Sequence, residues 1–377
     1  MNRIILIGNG FDLAHGLKTS YKDFIDWYFG EWGDRLRMSH NRVEEDSLCS
    51  FRLNNNHYDW FNIFNIYGII SPLEHRDGIE IAKIAKNKPE LCSFTIKSPL
   101  FRELYRSYET KGWVDIENEY YKYLCRAGMT HDAAKAANDD LDYIKKKLIE
   151  YLSDINKNII DEMIKNEIME KMKEPFHQQD IAVSSIAQFP YIKEMFRINK
   201  MSEKPVFPET YFLLNFNYTT LADLYFSFGD STIPFDRRST THIHGELSKQ
   251  SSVIFGYGDE LDQGYRLLLK KNDNEYLRNI KSIKYLEFAN YRHLLEFIES
   301  SPYQIYIMGH SCGNSDKTLL NTLFEHRNCV SIKPYYHKLE DGTDNYLELA
   351  QNISRNFTDM KLMRDRVVNK EFCESLM

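Results

Sequence analysis

The sequence predicts an α/β protein, with a Rossmann-like, open and mostly parallel sheet and a large helical insertion. Three observations predict it. Apolar or aromatic runs at 3–8, 211–216 and 304–309 are continuous rather than alternating, as in strands buried on both faces of a parallel sheet. Helical patterns follow several of these runs, so strand, loop and helix alternate. Between the first and second runs, apolar residues recur three to five positions apart over a long stretch, as on the buried stripe of a helix.

In chain order, the first strand is expected at 3–8 and a helix at 21–29. The polar stretch 38–58, with Asn54, Asn55 and Asn56 in a row, reads as a loop. From about 132 to 172, Leu141, Ile144, Leu148, Leu152, Ile155, Ile159, Met163 and Ile168 line an amphipathic helix or helix pair, which Pro175 stops. Residues 27–201 are therefore read as largely a helical insertion. The second strand, 211–216, feeds a helix at 219–228. Further strands are expected at 241–244, 253–256 and 304–309, the last followed by a helix at 317–325. A sixth, alternating strand at 329–336 precedes a helix at 346–357. The expected division is a Rossmann-like domain from 1–30 and 205–377, with the helical insertion at 31–204.

The 377 residues are 42% hydrophobic and 27% charged, a globular balance with enough apolar material for a sizeable core. A net charge of -7 gives nucleic-acid binding no help from bulk charge. None of the six cysteines sits in a CxxC pair, which argues against a structural zinc site. The apolar start breaks at Gly8, too early for a signal peptide, and no run approaches the ~18 apolar residues of a membrane helix. These features predict a soluble cytoplasmic protein with reduced thiols and no membrane segment.

Chemistry is expected where strands end. The first run passes directly into Gly8, Asn9, Gly10, Phe11 and Asp12. Glycines there allow a tight turn and close approach to a ligand, and amides at the start of a following helix favour a phosphate. Asn9 adds a side-chain donor, and Asp12 either bonds a ribose hydroxyl or caps the next turn. An ordinary β-turn is the alternative, because position 13 is Leu and the GxGxxG spacing is absent. Asn217 follows the second run at the carboxyl edge of the sheet, where open α/β sheets bind ligands; otherwise Asn217 or Thr219 caps the next helix.

In His242-Ile243-His244-Gly245-Glu246, alternation places both histidines on one side of a strand, and His244 is a candidate general base. The HxH pair lacks a matching carboxylate or second histidine cluster, so no metal is predicted. The late loop reads Gly309-His310-Ser311-Cys312-Gly313-Asn314-Ser315-Asp316. Gly309, His310 and Ser311 suit a second phosphate or the adenosine end of a dinucleotide, while Asp316 stands where a helix begins and is expected to cap it. The same letters match GxSxG, but a hydrolase elbow needs an acid before its histidine, and His337 precedes Asp341 and Asp344. Around Trp113-Val114-Asp115-Ile116-Glu117, residues Trp113, Ile116, Tyr120 and Leu124 share a helix face. Glu117 lies on another face, either packed or offered as an acid to the sheet edge.

Taken together, GNGFD, WVDIE, NFNYT, HIHGE, FGYGDE and GHSCGNSD resemble the AbiH abortive-infection family of bacterial phage-defence proteins, over nearly the full chain. Their order also resembles the wider sirtuin-like group, in which a glycine-rich first loop, an asparagine at a strand end, a His-Gly pair and a late Gly-x-Ser loop build an NAD site. The resemblance implies NAD or a related nucleotide as substrate or ligand. It implies that Gly8 and Gly10 belong to the phosphate-binding loop, that Asn217 sits by the nicotinamide ribose, that His244 is the base, and that Gly309 and Ser311 hold the adenosine side. Thr219 stands where an Asp is usual, which leaves the ribose contact open. The zinc-binding cysteines of protein deacylases are missing, so the implied activity is hydrolysis of the nicotinamide–ribose bond during infection. Two readings stand beside it: a nucleotide-sensing module without catalysis, and a nuclease-type toxin. Implied partners are the nucleotide, an unidentified phage trigger and a second copy of the chain through the helical insertion.

Overall fold

A computed structural model describes residues 1–67, 77–111, 115–155, 161–226, 237–258, 260–339 and 341–377. Trp113, Val114, Ile159, Asp259 and the end of the helix expected at 219–228 lie outside the described residues. The strands are β1 (Asn2–Ile7), β2 (Val43–Glu45), β3 (Cys49–Leu53), β4 (Cys92–Ile96), β5 (Tyr211–Asn215), β6 (Arg238–His242), β7 (Tyr303–Met308) and β8 (Cys329–Tyr335). The chain forms two compact units. One comprises 1–18, 154–266 and 279–377; the other comprises 19–153 and 267–278.

The first unit holds a five-stranded sheet in the order β6-β5-β1-β7-β8, with all neighbours parallel. β1 is central and buried throughout. Its Ile4 and Leu6 pack with Leu214, Ile305 and Ile307, under Leu294 and Ile298 of the helix Asn290–Ser300 and Leu319 and Leu323 of the helix Lys317–Glu325. Ile5 and Ile7 face the opposite way, onto Phe11, Leu213, Met308 and the Ile168 and Met172 side chains of the helix Glu162–Lys173. Each fully buried aliphatic side chain stabilises by about 1.5–3 kcal/mol relative to exposure. Helices on both faces explain why these strands read as unbroken apolar runs. From β1 the chain first builds β5 and β6 on one side, then returns to place β7 and β8 on the other. The carboxyl ends of β1 and β7 therefore flank a topological switch point, the usual ligand crevice of an open parallel sheet.

The sheet differs from expectation in three places. Residues 253–256 are not a strand: Ile254 N donates to His244 O (2.8 Å), the chain then bridges from Tyr257 to Ile280, and no ladder develops. β6 stops at His242, so the two histidines do not share a side. His242 Nε2 meets Asp223 at 2.9 Å, whereas His244 Nε2 meets Asp316 at 3.0 Å. After β5 comes a 3₁₀ turn, Leu221–Tyr225, in place of a longer α-helix.

The second unit contains the antiparallel sheet β2-β3-β4, so the stretch expected to be a loop at 38–58 carries two strands. Cys49, Phe51 and Leu53 are buried and Arg52 points out, a period of two hidden among polar neighbours. Phe51 packs on Phe94 of β4 and on Trp32 of the helix Tyr21–Met38, with ring centres 4.6 and 5.0 Å apart. A capping box starts that helix: Ser20 accepts from Asp23 N, and the Asp23 side chain accepts from Ser20 N. The amphipathic stretch is two helices, His131–Ile155, almost wholly in this unit, and Glu162–Lys173, in the first unit. Leu141, Ile144, Leu148 and Leu152 are buried in the first, and Ile168 in the second. Met163, expected on the same stripe, is 81% exposed, because at 3.6 residues per turn it lies well round its helix from the buried Ile168 and Met172. No helix among the described residues is long and apolar enough to cross a membrane.

Candidate functional site

β1 and β7 deliver two loops to the switch point, and these pack backbone against backbone. Gly10 N donates to Gly309 O (2.8 Å), and Phe11 N to Gly8 O (2.9 Å). A Cβ on Gly8 would overlap the Cα of His310, and one on Gly10 would stand 2.8 Å from Gly309 O. The glycines at 8 and 10 thus allow the second loop to close on the first, and the amides of Gly10 and Phe11 are already bonded. Asn9 and Ser311 remain exposed at the rim.

Behind that contact lies Asp12, only 1% exposed. Thr219 Oγ1 donates to its Oδ2 (2.6 Å), and Asn217 Nδ2 donates to its Oδ1 (2.9 Å) and to Gly8 O (3.0 Å). Both Asn217 amide protons are therefore engaged, and its carbonyl oxygen is the part that can serve a ligand. The expected capping roles are not realised. The helix Asn9–Ala14 and the turn Leu221–Tyr225 start without side-chain caps, and these polar groups tie the tip of β5 to the tip of β1 instead.

Burial raises the Asp12 carboxyl to about 6, against the lowering effect of its Thr219 and Asn217 hydrogen bonds. A carboxyl raised on folding adds stability that is fully present below the unfolded aspartate range, about 3.9, and is lost as pH rises through the folded value. Asp12→Asn retains the shape, because the Thr219 hydroxyl can turn to accept. The variant is expected to gain stability relative to the parent at pH 7 and to lose that advantage as pH falls toward about 4. Urea midpoints of both proteins across that range check it, and a difference independent of pH would refute the raised carboxyl.

A second buried carboxylate, Asp316, lies at the end of the β7 loop. Its Oδ1 accepts from Lys281 Nζ (2.9 Å) and meets His244 Nε2 (3.0 Å), and its Oδ2 lies 3.7 Å from His310 Nε2. The helix Lys317–Glu325 has no side-chain cap, so Asp316 starts the helix without capping it. Burial alone would raise Asp316, but the Lys281 ammonium, and then His244, hold it well below the usual carboxylate range. Burial, and then Lys281, push His244 below the usual imidazole range, with Asp316 opposing them. His244 is therefore a neutral imidazole near pH 7. Cys312 N donates to His310 Nδ1 (3.0 Å), so the His310 proton sits on Nε2, toward Asp316. Phe216, at the tip of β5, packs between the histidines, with ring centres 4.1 Å from His310 and 5.3 Å from His244.

The structure thus gathers Gly8, Gly10, Phe11, Asp12, Asn217, His244, Gly309, His310 and Asp316 at one sheet edge. It adds Thr219 and Lys281. Thr219 lies within the NFNYT motif; Lys281, between Ile280 and Ser282, has nothing in its spacing to mark it. Of the acids weighed for a hydrolase elbow at Ser311, Asp341 accepts from Thr343 and Asp344 pairs with Lys370. Glu117 is buried in the first turn of the helix Ile116–Leu124, in the second unit.

None of the curated proteins compared matches this chain. A family model described as "Bacteriophage abortive infection AbiH" matches residues 4–337, which spans both loops of the switch point and every residue of the two buried clusters. The chain belongs to the AbiH family of bacteriophage abortive infection proteins.

Proposed function

We propose that this defence protein binds NAD, or a closely related nucleotide, at the carboxyl edge of the parallel sheet and hydrolyses its nicotinamide–ribose bond. The observation that carries the reading is His244: a neutral imidazole, anchored through Nε2 on a buried carboxylate, beside the switch point of an open α/β sheet. With Nε2 so engaged, Nδ1 is the basic nitrogen, able to take a proton from a water or a ribose hydroxyl. Cleavage develops positive charge on the sugar, and Asp12 is the nearby acid suited to stabilise it once ionised. Its midpoint of about 6 leaves it mostly ionised at neutral pH. The Gly10 amide is bonded to Gly309, so polar contacts to the nucleotide at the rim fall to the side chains of Asn9 and Ser311. The sirtuin-like pattern of motifs supports the same assignment by analogy alone.

The purified chain incubated with NAD is expected to release free nicotinamide. His244→Ala is expected to slow release by roughly 10²–10⁴-fold, the usual contribution of a general base. Release at the parent rate in this variant would remove His244 as the base.

One observation favours the sensing module: Asp12, Asn217 and Thr219 are buried and satisfy one another, as in a scaffold. Under that reading NAD raises the melting temperature and is recovered intact.

A further inference from the structure

We propose that Lys281 is a positioning residue for His244: its buried ammonium balances Asp316, so that the imidazole stays a neutral Nε2–H donor to that carboxylate and keeps Nδ1 as its basic nitrogen. The consequence for catalysis rests on the reading of His244 as the base; the arrangement itself does not.

The geometry is specific. Lys281 Nζ and His244 Nε2 converge on the same oxygen, Asp316 Oδ1, at 2.9 and 3.0 Å. Lys281 is 1% exposed, His244 5% and Asp316 8%, so water screens these charges little. Among the described residues, Tyr285, whose hydroxyl lies 3.2 Å from Nε2, the Tyr218 ring, the Phe216 ring and His310 also face His244.

A buried aspartate alone beside a histidine stabilises the imidazolium, so the ring is already protonated at a higher pH and less of it is free to accept a proton. With Lys281 on the same oxygen, its positive charge opposes a second positive charge on the His244 ring, against the pull of Asp316, so the ring stays neutral and available. Lys281 thereby turns Asp316 from an imidazolium partner into an anchor for one tautomer.

The FGYG motif explains how a lysine from a polar segment reaches this point. Tyr257 bridges to Ile280, and Lys281 N donates to Tyr257 O (2.8 Å). A Cβ on Gly256 would overlap Asn279 O. One on Gly258 would stand 3.0 Å from Ser315 O and 3.2 Å from Lys281 Cβ. The bare backbone at 256 and 258 lets the segments carrying Lys281 and Asp316 close on each other.

The test is a histidine-ring NMR titration of the full chain, with His244 assigned by the loss of its signal in His244→Gln. The parent should show the Nε2–H tautomer and titrate below the ordinary histidine value of about 6.5. In Lys281→Met the midpoint should rise by about one pH unit or more, a tenfold change in protonation. Lys281→Arg, which keeps the charge, should restore most of the difference. An unmoved midpoint in Lys281→Met overturns the inference. If that variant does not fold, Lys281→Met/Asp316→Leu removes both charges together, and the Nε2–H signature should give way to mixed tautomers. An unchanged signature there also overturns it. A shifted His244 without any nicotinamide release by the parent protein would sink the catalytic reading and leave this inference standing.

Discussion

Gly309→Ala is expected to destabilise the sheet-bearing unit by about 3–5 kcal/mol, a large part of the roughly 5–15 kcal/mol that holds a typical protein folded. Two terms add. Gly309 has φ +75°, a left-handed conformation that costs a residue with a Cβ about 1–2 kcal/mol. The Cβ would also overlap Phe11 N and stand 2.6 Å from Gly10 C and 2.8 Å from Phe11 Cα. Those atoms are backbone, and the Gly10 N to Gly309 O bond holds them in place. Overpacking of this kind typically costs a further 1–3 kcal/mol, and a rigid neighbour puts it at the upper end. Gly16 is the internal control. Its φ is +77°, but nothing lies within 4 Å of an added Cβ. Gly16→Ala should therefore cost only the conformational term, about 1–2 kcal/mol. Guanidinium denaturation of the two variants separates the terms. Equal losses would mean that the two switch-point loops are not in tight contact.

Asp316→Ala is expected to cost about 3–5 kcal/mol at neutral pH, because it removes the carboxylate that pairs with the buried Lys281 ammonium at 2.9 Å. Adding Lys281→Met to Asp316→Ala should recover more than half of the loss, since the apolar replacement removes the buried ammonium together with its carboxylate. The sign with pH follows from the depressed carboxyl. Its contribution is present above the unfolded aspartate range and is lost as pH falls through the lower, folded value. The deficit of Asp316→Ala should therefore persist across the neutral range and shrink only in acid. Denaturation midpoints of the parent, both single variants and the double variant complete the cycle. Strict additivity would show that the two side chains do not share one site.

Asp12 and Asp316 occupy the same edge of the sheet, yet folding shifts them in opposite directions. The hydrogen-bond partners of Asp12 among the described residues, Thr219 and Asn217, are neutral, so burial dominates. Asp316 has an ammonium on one oxygen, so charge pairing dominates. Acidification between about pH 7 and 4 therefore strengthens the first cluster, while the second keeps its ion pair.

Much of this was legible in the residues. The continuous apolar runs at β1, β5 and β7 announced a parallel sheet covered on both sides, because burial on two faces erases alternation. The loops leaving those strands marked the sheet edge at which the candidate site lies, because polar and small residues cannot continue a buried strand. Less legible were β2 and β3, whose short alternating runs are flanked by charged and asparagine-rich segments, and Met163, whose place on a stripe depended on where one helix ended and another began. What the sequence determined by itself was the identity of the chemical groups and the strand ends that carry them. What only the tertiary structure decided was the pairing of those groups: Asp12 with Thr219 rather than a helix end, Asp316 with Lys281 and His244 rather than its own helix, and the glycines with the opposite loop. Capping and turn formation are local and can be read from spacing. Pairing across a sheet edge depends on strand order and on loop closure between segments far apart in the chain, and local spacing carries no record of either.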